Sequence, residues 1–301
     1  GFNGKGILTT ISSVSQLEST DIKDKIVLLH GEIAAQQLAP KNYPFWNPED
    51  HQHIIALLEK GEPKAIICAT ERNSSTAGGV YPFPLIEDGD FDIPSVFMKD
   101  TEGYRLLEFA GKEVELISNA RRIPSTAYNI TASKDPEIRE KIVISAHIDT
   151  KIGTTGAIDN STGVAIILLL ADIIKDISFK YQIELAFFNG EDYYGAPGQI
   201  KYIEQNQGNF NNILLNINID GAAYKEGPSS FSPFDLTENM DKALKNTILN
   251  NPGIVEGLPW FQSDYSIFLQ NGCPAIAVSS QWFIENMDNQ EITHTPKDNL
   301  S

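Results

Sequence analysis

Four short apolar runs in the second half of this 301-residue chain constrain its fold more than any other feature. Residues 141–146, 183–188, 213–219 and 274–279 are rich in Ile, Leu, Val and Phe and are bounded by polar turns. Between and around them, residues 161–174, 196–206, 237–250 and 263–270 carry apolar side chains at helical spacing. Strands that alternate with helices imply parallel pairing through crossover connections, so the expected class is α/β, with a mostly parallel central sheet flanked by helices. Such sheets bind ligands outside the carboxyl ends of their strands. It is there that this chain keeps its acids and histidines.

The first half has a different rhythm. Strands are expected at residues 25–29, 64–69, 93–98 and 113–117, with helices at 48–60 and 101–110. Residues 71–92, full of Ser, Gly, Pro and Asp, read as a loop. His51 and His53 stand two apart on an expected helix, point in different directions, and read as solvated surface. A joining segment around residues 118–124 separates the halves, and the length fits two domains.

Composition narrows the function classes. A formal net charge of −17, without any clustered Lys and Arg, argues against a nucleic-acid partner and suits a cationic one. The longest apolar run, residues 164–171, is too short to cross a bilayer, so no membrane span is expected. The opening residues lack the basic start and apolar centre of a signal peptide. Cys68 and Cys273 sit in strand-like apolar contexts and read as buried free thiols.

The chemistry lies in scattered residues at strand ends. His147 and Asp149, at i and i+2, project to one side, where the carboxylate can orient the imidazole. Asp159 in A-I-D-N-S-T-G opens a helix and suits either a cap or a metal ligand. Glu191 and Asp192 follow a buried strand, and two adjacent acids there call for a cation or a proton between them. One can hold a metal while the other takes a proton from water as general base. Asp220 ends the run L-L-N-I-N-I-D-G, as a ligand or as a turn-forming Asp-Gly, and His294 sits in the polar loop T-H-T-P-K-D. No G-x-S-x-G elbow or phosphate-binding G-x-x-x-x-G-K-[ST] loop occurs.

Taken together, A-H-I-D, A-I-D-N-S-T-G, F-N-G-E-D-Y-Y-G, N-I-D, Q-S-D-Y-S-I-F and H-T-P-K-D resemble the dizinc peptidases of the M28 clan over residues 129–298. The resemblance implies a zinc-exopeptidase fold of the phosphorylase/hydrolase-like kind and two Zn2+ ions bridged by Asp159. His147 and Asp220 would complete one ion's protein ligands, and Asp192 and His294 the other's. Glu191 would be the general base, with Asp149 behind His147. Asp264 matches the family's Ser-Asp position, but Tyr265 follows it in place of the usual His, and no catalytic role is assigned to it. The family usually has two consecutive glutamates where this chain has Glu191-Asp192, so the second ion's site rests on a shorter carboxylate.

The first half resembles the protease-associated (PA) domain that many such peptidases carry as an insertion, through D-K-I-V-L-L-H-G, G-E-P-K-A-I-I-C, D-I-P-S-V-F-M and D-T-E-G-Y-R-L-L-E-F-A-G. The expected domains are a smaller PA-like, β-rich α/β unit at residues 15–122 and a peptidase unit of residues 1–14 with 123–301, shortened at both ends. The implied activity is that of a metal-dependent aminopeptidase acting on peptides with a free N-terminus. A carboxypeptidase or dipeptidase would want an Arg near the site, and none follows Arg139. A catalytically silent binding ectodomain is the alternative outside enzymes. The family and the PA-like insertion point to an extracytoplasmic or secreted location.

Overall fold

The computed structural model describes residues 1–301 except 36, 37, 42, 71–90, 120, 122, 194, 261, 262, 288, 289 and 301. The chain divides into two units, Gly1–Thr126 and Ala127–Ser301. Both are mixed α/β structures with mostly parallel sheets flanked by helices.

The first unit contains β1 (Phe2–Ile11), α1 (Val14–Ser19), β2 (Ile26–Leu29), α2 (Glu49–Gly61), β3 (Ala65–Thr70), β4 (Ser95–Lys99), the single turn α3 (Asp100–Gly103) and β5 (Glu113–Ser118). Its sheet runs β4-β3-β2-β1-β5, with only the β1–β5 pair antiparallel. Every residue of β2 and β3 is buried, as befits the middle of a parallel sheet. The sequence reading assigns residues 1–14 to the other unit, yet β1 pairs here with β2 and β5. Glycine hides this strand from propensity. At Gly6 a Cβ would come 3.1 Å from the Ile26 side chain, so the missing side chain is what lets β1 lie close to β2. The loop expected at 71–92 lies almost wholly outside the described residues.

His51 corrects another expectation. It is buried on the inner face of α2, its Nδ1 accepts the Ala39 N–H at 2.9 Å, and the Trp46 ring packs edge-on at 4.7 Å. His53 does face solvent and pairs with Glu18 at 2.9 Å. The i, i+2 spacing separates the two rings as expected, but it sends one of them into the core.

The second unit contains β6 (Ile130–Lys134), β7 (Lys141–His147), α4 (Thr162–Ile174), β8 (Gln182–Phe188), α5 (Pro197–Gln205), β9 (Ile213–Ile219), β10 (Ser229–Phe234), α6 (Glu238–Asn250), β11 (Ile254–Glu256), α7 (Tyr265–Gln270), β12 (Ala275–Ser280) and α8 (Gln281–Asn286). The sheet order is β11-β10-β12-β9-β7-β8-β6. Its centre, β12-β9-β7-β8, is wholly parallel and coincides with the four apolar runs. The outer strands β6 and β10 pair antiparallel to β8 and β12, and β11 forms the edge beyond β10 through a parallel pair. One face of the sheet buries Ile144, Leu185, Ile219 and Val278 against Ile167 of α4 and Leu244 of α6. The other carries an aromatic cluster of Phe188, Tyr202, Phe210 and Phe268. On that same face Glu184 is satisfied by Lys141 at 2.7 Å and the Tyr202 hydroxyl at 2.6 Å.

Residues Ala157–Ile174 are long and apolar enough to cross a membrane, with mean hydropathy 1.7, and 39% of that segment is buried. Its inner side packs on the sheet through Ile167, while Leu168, Leu169 and Ile173 face outward. Cys68 and Cys273 are buried free thiols; burial pushes the Cys68 thiol far above its usual range and the Cys273 thiol up to about 12.

Candidate metal centre

All five expected ligands meet at the carboxyl ends of the parallel strands. His147 is the last residue of β7, and its Nδ1 lies 3.1 Å from the main-chain oxygen of Asp149. A carbonyl can only accept, so Nδ1 carries a proton and Nε2 is the nitrogen turned to the acids. Nε2 lies 3.1 Å from Asp159 Oδ1 and 3.4 Å from Asp220 Oδ1. The other oxygen of Asp159, Oδ2, lies 3.1 Å from His294 Nε2, which in turn is 2.8 Å from Asp192 Oδ1. One carboxylate thus stands between two imidazoles, each accompanied by one further acid.

Local structure explains how Asp159 reaches this position. It sits in a widened turn, Ala157–Ser161, ahead of α4, where Asp159 and Asn160 leave helical backbone geometry and the peptide between them is cis. Gly163 permits the approach, because a Cβ there would stand 2.5 Å from the Ile219 carbonyl. Asp220 follows β9 directly, and its Oδ2 accepts the Ser263 hydroxyl at 2.7 Å. Ser263 accepts from Asn218, which accepts from Ser145, so a buried hydrogen-bond chain crosses the sheet to this acid. His294 adopts φ +60°, a conformation that a residue with a side chain takes only under constraint.

Asp149 does more than the sequence suggests. Its carboxylate is 3.8 Å from the His147 ring, but its oxygens accept three backbone N–H groups: Gly190 at 2.7 Å, Glu191 at 3.2 Å and Asp192 at 3.1 Å. The imidazole is oriented by the main chain of Asp149, and the side chain shapes the turn that presents Glu191 and Asp192.

Electrostatics follow from packing so many acids out of water. Burial pushes the Glu191 carboxyl well above its ordinary range; His147 opposes this, and Asp220, Asp264 and Asp192 reinforce it. Burial and Asp159 likewise raise Asp192. Burial would lower His147, but Asp220, Asp159 and Glu191 outweigh it and hold the imidazole well above its usual range. For Asp159 burial acts upward, and the two imidazoles overcome it, so its carboxyl lies well below the usual range.

The donor set fits a divalent cation. His147 Nε2 and both carboxylate oxygens of Asp192 are buried and make no hydrogen bond among the described residues. Ligand atoms of His147, Asp159 and Asp220, and of Asp159, Asp192 and His294, lie within 4.8 Å of one another. Acceptor atoms converging in that way are stable only with positive charge among them.

Sequence reasoning missed three supports of the site. Ser145, Asn216 and Asn218 are fully buried, and the alternation of Asn216, Asn218 and Asp220 along one strand face was the available signal. Asp264 is buried and takes Gln199 Nε2 at 2.7 Å; burial pushes it up to about 7 against the pull of His147 and Gln199. Asp298, in the quoted H-T-P-K-D segment, binds the turn of Asp159.

Comparison with known proteins shows the family and the fold. A probable leucine aminopeptidase 2 of Aspergillus oryzae is 22% identical over 262 residues, covering 76% of this chain and 51% of the relative. A vacuolar membrane protease of Saccharomyces cerevisiae is 25% identical over 172 residues, covering 56% of this chain but 17% of the relative. The chain therefore spans about half, or less, of the curated relatives it matches. Among solved structures, an aminopeptidase from Aneurinibacillus sp. strain AM-1 superimposes with TM-score 0.66 at 17% identity, over 99% of this chain and 69% of that one. A zinc aminopeptidase from Bacillus subtilis gives TM-score 0.65 at 18% identity, over 99% and 70%. These likenesses establish the fold. Residues 129–301, more than half the chain and all the candidate ligands, match the family description, and the chain belongs to peptidase family M28.

Proposed function

We propose that this chain is a two-zinc aminopeptidase that hydrolyses the N-terminal bond of peptides. The observation that carries the reading is Asp159, whose two oxygens face separate imidazoles at 3.1 Å each. His147 and Asp220 would hold one ion with Asp159, and Asp192 and His294 would hold the other. Bound there, the ions would supply Lewis acidity for the scissile carbonyl and lower the pKa of the attacking water.

The remaining work belongs to the chain's own side chains. Glu191, presented by the turn that Asp149 holds, takes the proton of the attacking water and delivers it to the leaving amine. Uncompensated carboxylate charge in the site attracts the ammonium terminus of the substrate. The PA-like reading of residues 15–122 and an extracytoplasmic location belong to the same proposal, supported by sequence resemblance.

The test joins zinc stoichiometry to a panel of aminoacyl chromogenic substrates. Two zinc ions per chain are expected, with cleavage abolished by chelator and restored by zinc. Equal rates on free and N-acetylated substrates would exclude an aminopeptidase.

A further inference from the structure

Asp298 follows His294 by four residues and has no part in the proposed ligand set. It is 2% exposed, and its carboxylate spans to the widened turn that carries Asp159. Oδ1 accepts the N–H of Ile158 at 2.7 Å, and Oδ2 accepts the N–H of Asp159 at 3.2 Å. The first N–H groups of a helical segment have no acceptor within it, and the non-helical backbone at Asp159 and Asn160 lengthens that gap. Asp298 fills it from the opposite side of the site.

The segment that supplies Asp298 is itself under constraint. His294 holds φ +60° between two anchors. Before it, Gln290 Oε1 accepts the N–H groups of Ile292 and Thr293 at 2.7 and 3.0 Å. After it, Asp298 returns its own N–H to Thr295 O at 3.1 Å while its side chain holds the Asp159 turn. Asp298 thus links two ligand-bearing segments that are remote in sequence, much as Asp149 links His147 to the turn of Asp192.

We propose that Asp298 is a positioning residue that locks the Asp159 turn to the His294 loop and thereby sets the geometry of the cation position shared by Asp159, Asp192 and His294. This inference rests on the metal reading above. Asp298→Asn keeps one acceptor oxygen but puts an NH2 group against a backbone N–H, so it loosens the clamp with little change of volume.

Zinc affinities would be measured by competition with a chromogenic chelator in wild type, Asp298→Asn, Asp298→Ala and Ile276→Val, alongside melting of each zinc-free protein. His294→Ala identifies which of the two affinities belongs to the His294 position. In Asp298→Asn that affinity is expected to fall by about 10–100-fold, the range found when groups orienting ligands are removed, and the other, which shares Asp159 but no part of the His294 loop, by a smaller factor. Ile276→Val, a core change away from the ligands, controls for lost stability and should lower melting while leaving both affinities in place. Both affinities unchanged in Asp298→Asn, or both falling together as melting falls, would overturn the inference. Should Asp298→Ala fail to fold, the Asn variant decides alone. A wild type that binds fewer than two zinc ions would overturn the metal reading and this inference with it; two-zinc wild type with an unaffected Asn variant overturns this inference only.

Discussion

At the scale of single residues, the site is a problem of confined negative charge. Glu191 is the residue on which turnover should depend while metal binding does not: Glu191→Gln is expected to keep zinc and lose at least about 10²-fold in kcat, the usual share of a general base. Near-normal turnover in that variant would remove the assignment. Asp264 gives a pH signature. Burial raises its carboxyl from 3.8 to about 7 in the folded chain, so between those values the folded state holds a proton that the unfolded state has released. Stability from this group is complete below the unfolded value and is lost as pH rises towards 7, by on the order of 4 kcal/mol. In chelator, wild type should therefore melt lower at pH 8 than at pH 5 by more than Asp264→Asn does; parallel pH profiles would refute this. The candidate ligands were readable from the motifs that carry them and from their order along the chain. The supporting residues were not, because Ser, Asn and Asp are common, and only packing shows that Asp149 holds a turn and Asp298 holds a loop.

At the scale of elements, periodicity identified what is buried on both sides or amphipathic, and lost what is exposed or short. The strands β7, β8, β9 and β12 were readable as apolar runs, and α4, α5, α6 and α7 as helices between them. Strand β10, S-S-F-S-P-F, carries turn-like composition beside the short edge strand β11, and every residue of the edge strand β6 is at least partly exposed. Edge strands draw their order from the neighbour they pair with, so the local pattern is weak. Helix α4 shows both extremes. Ile167 is fully buried and Leu169 is 66% exposed, although both belong to one apolar run. Ile167→Ala should cost about 2–5 kcal/mol in denaturant unfolding, the range for a buried aliphatic truncation. Leu169→Glu should change stability by no more than about 0.5 kcal/mol, because its side chain already meets solvent. A large loss in the second variant would mean that this face is covered. The Glu184, Lys141 and Tyr202 group is a similar element-level device, joining two strands and a helix through one buried acid.

At the scale of the whole molecule, excess acid and metal dependence are two sides of one balance. A chain of net charge −17 that gathers His147, Asp159, Asp192, Asp220 and His294 in one place should be more stable with cations present. Zinc that binds only the folded state should raise stability by about 2.7 kcal/mol at a free concentration one hundred times its dissociation constant. Thermal melting at several zinc concentrations checks this, and a melting temperature indifferent to zinc would count against the centre. The sequence by itself determined the class of fold and named the candidate ligands, since apolar period chooses strand or helix and strand ends in a parallel sheet collect functional side chains. Tertiary structure alone decided that β1 joins the first sheet, that His51 turns inward, and that Asp149 and Asp298 reach across to the backbone of other loops. Those outcomes depend on which surfaces meet, and contacts between separate segments of the chain leave no local pattern for a sequence to display.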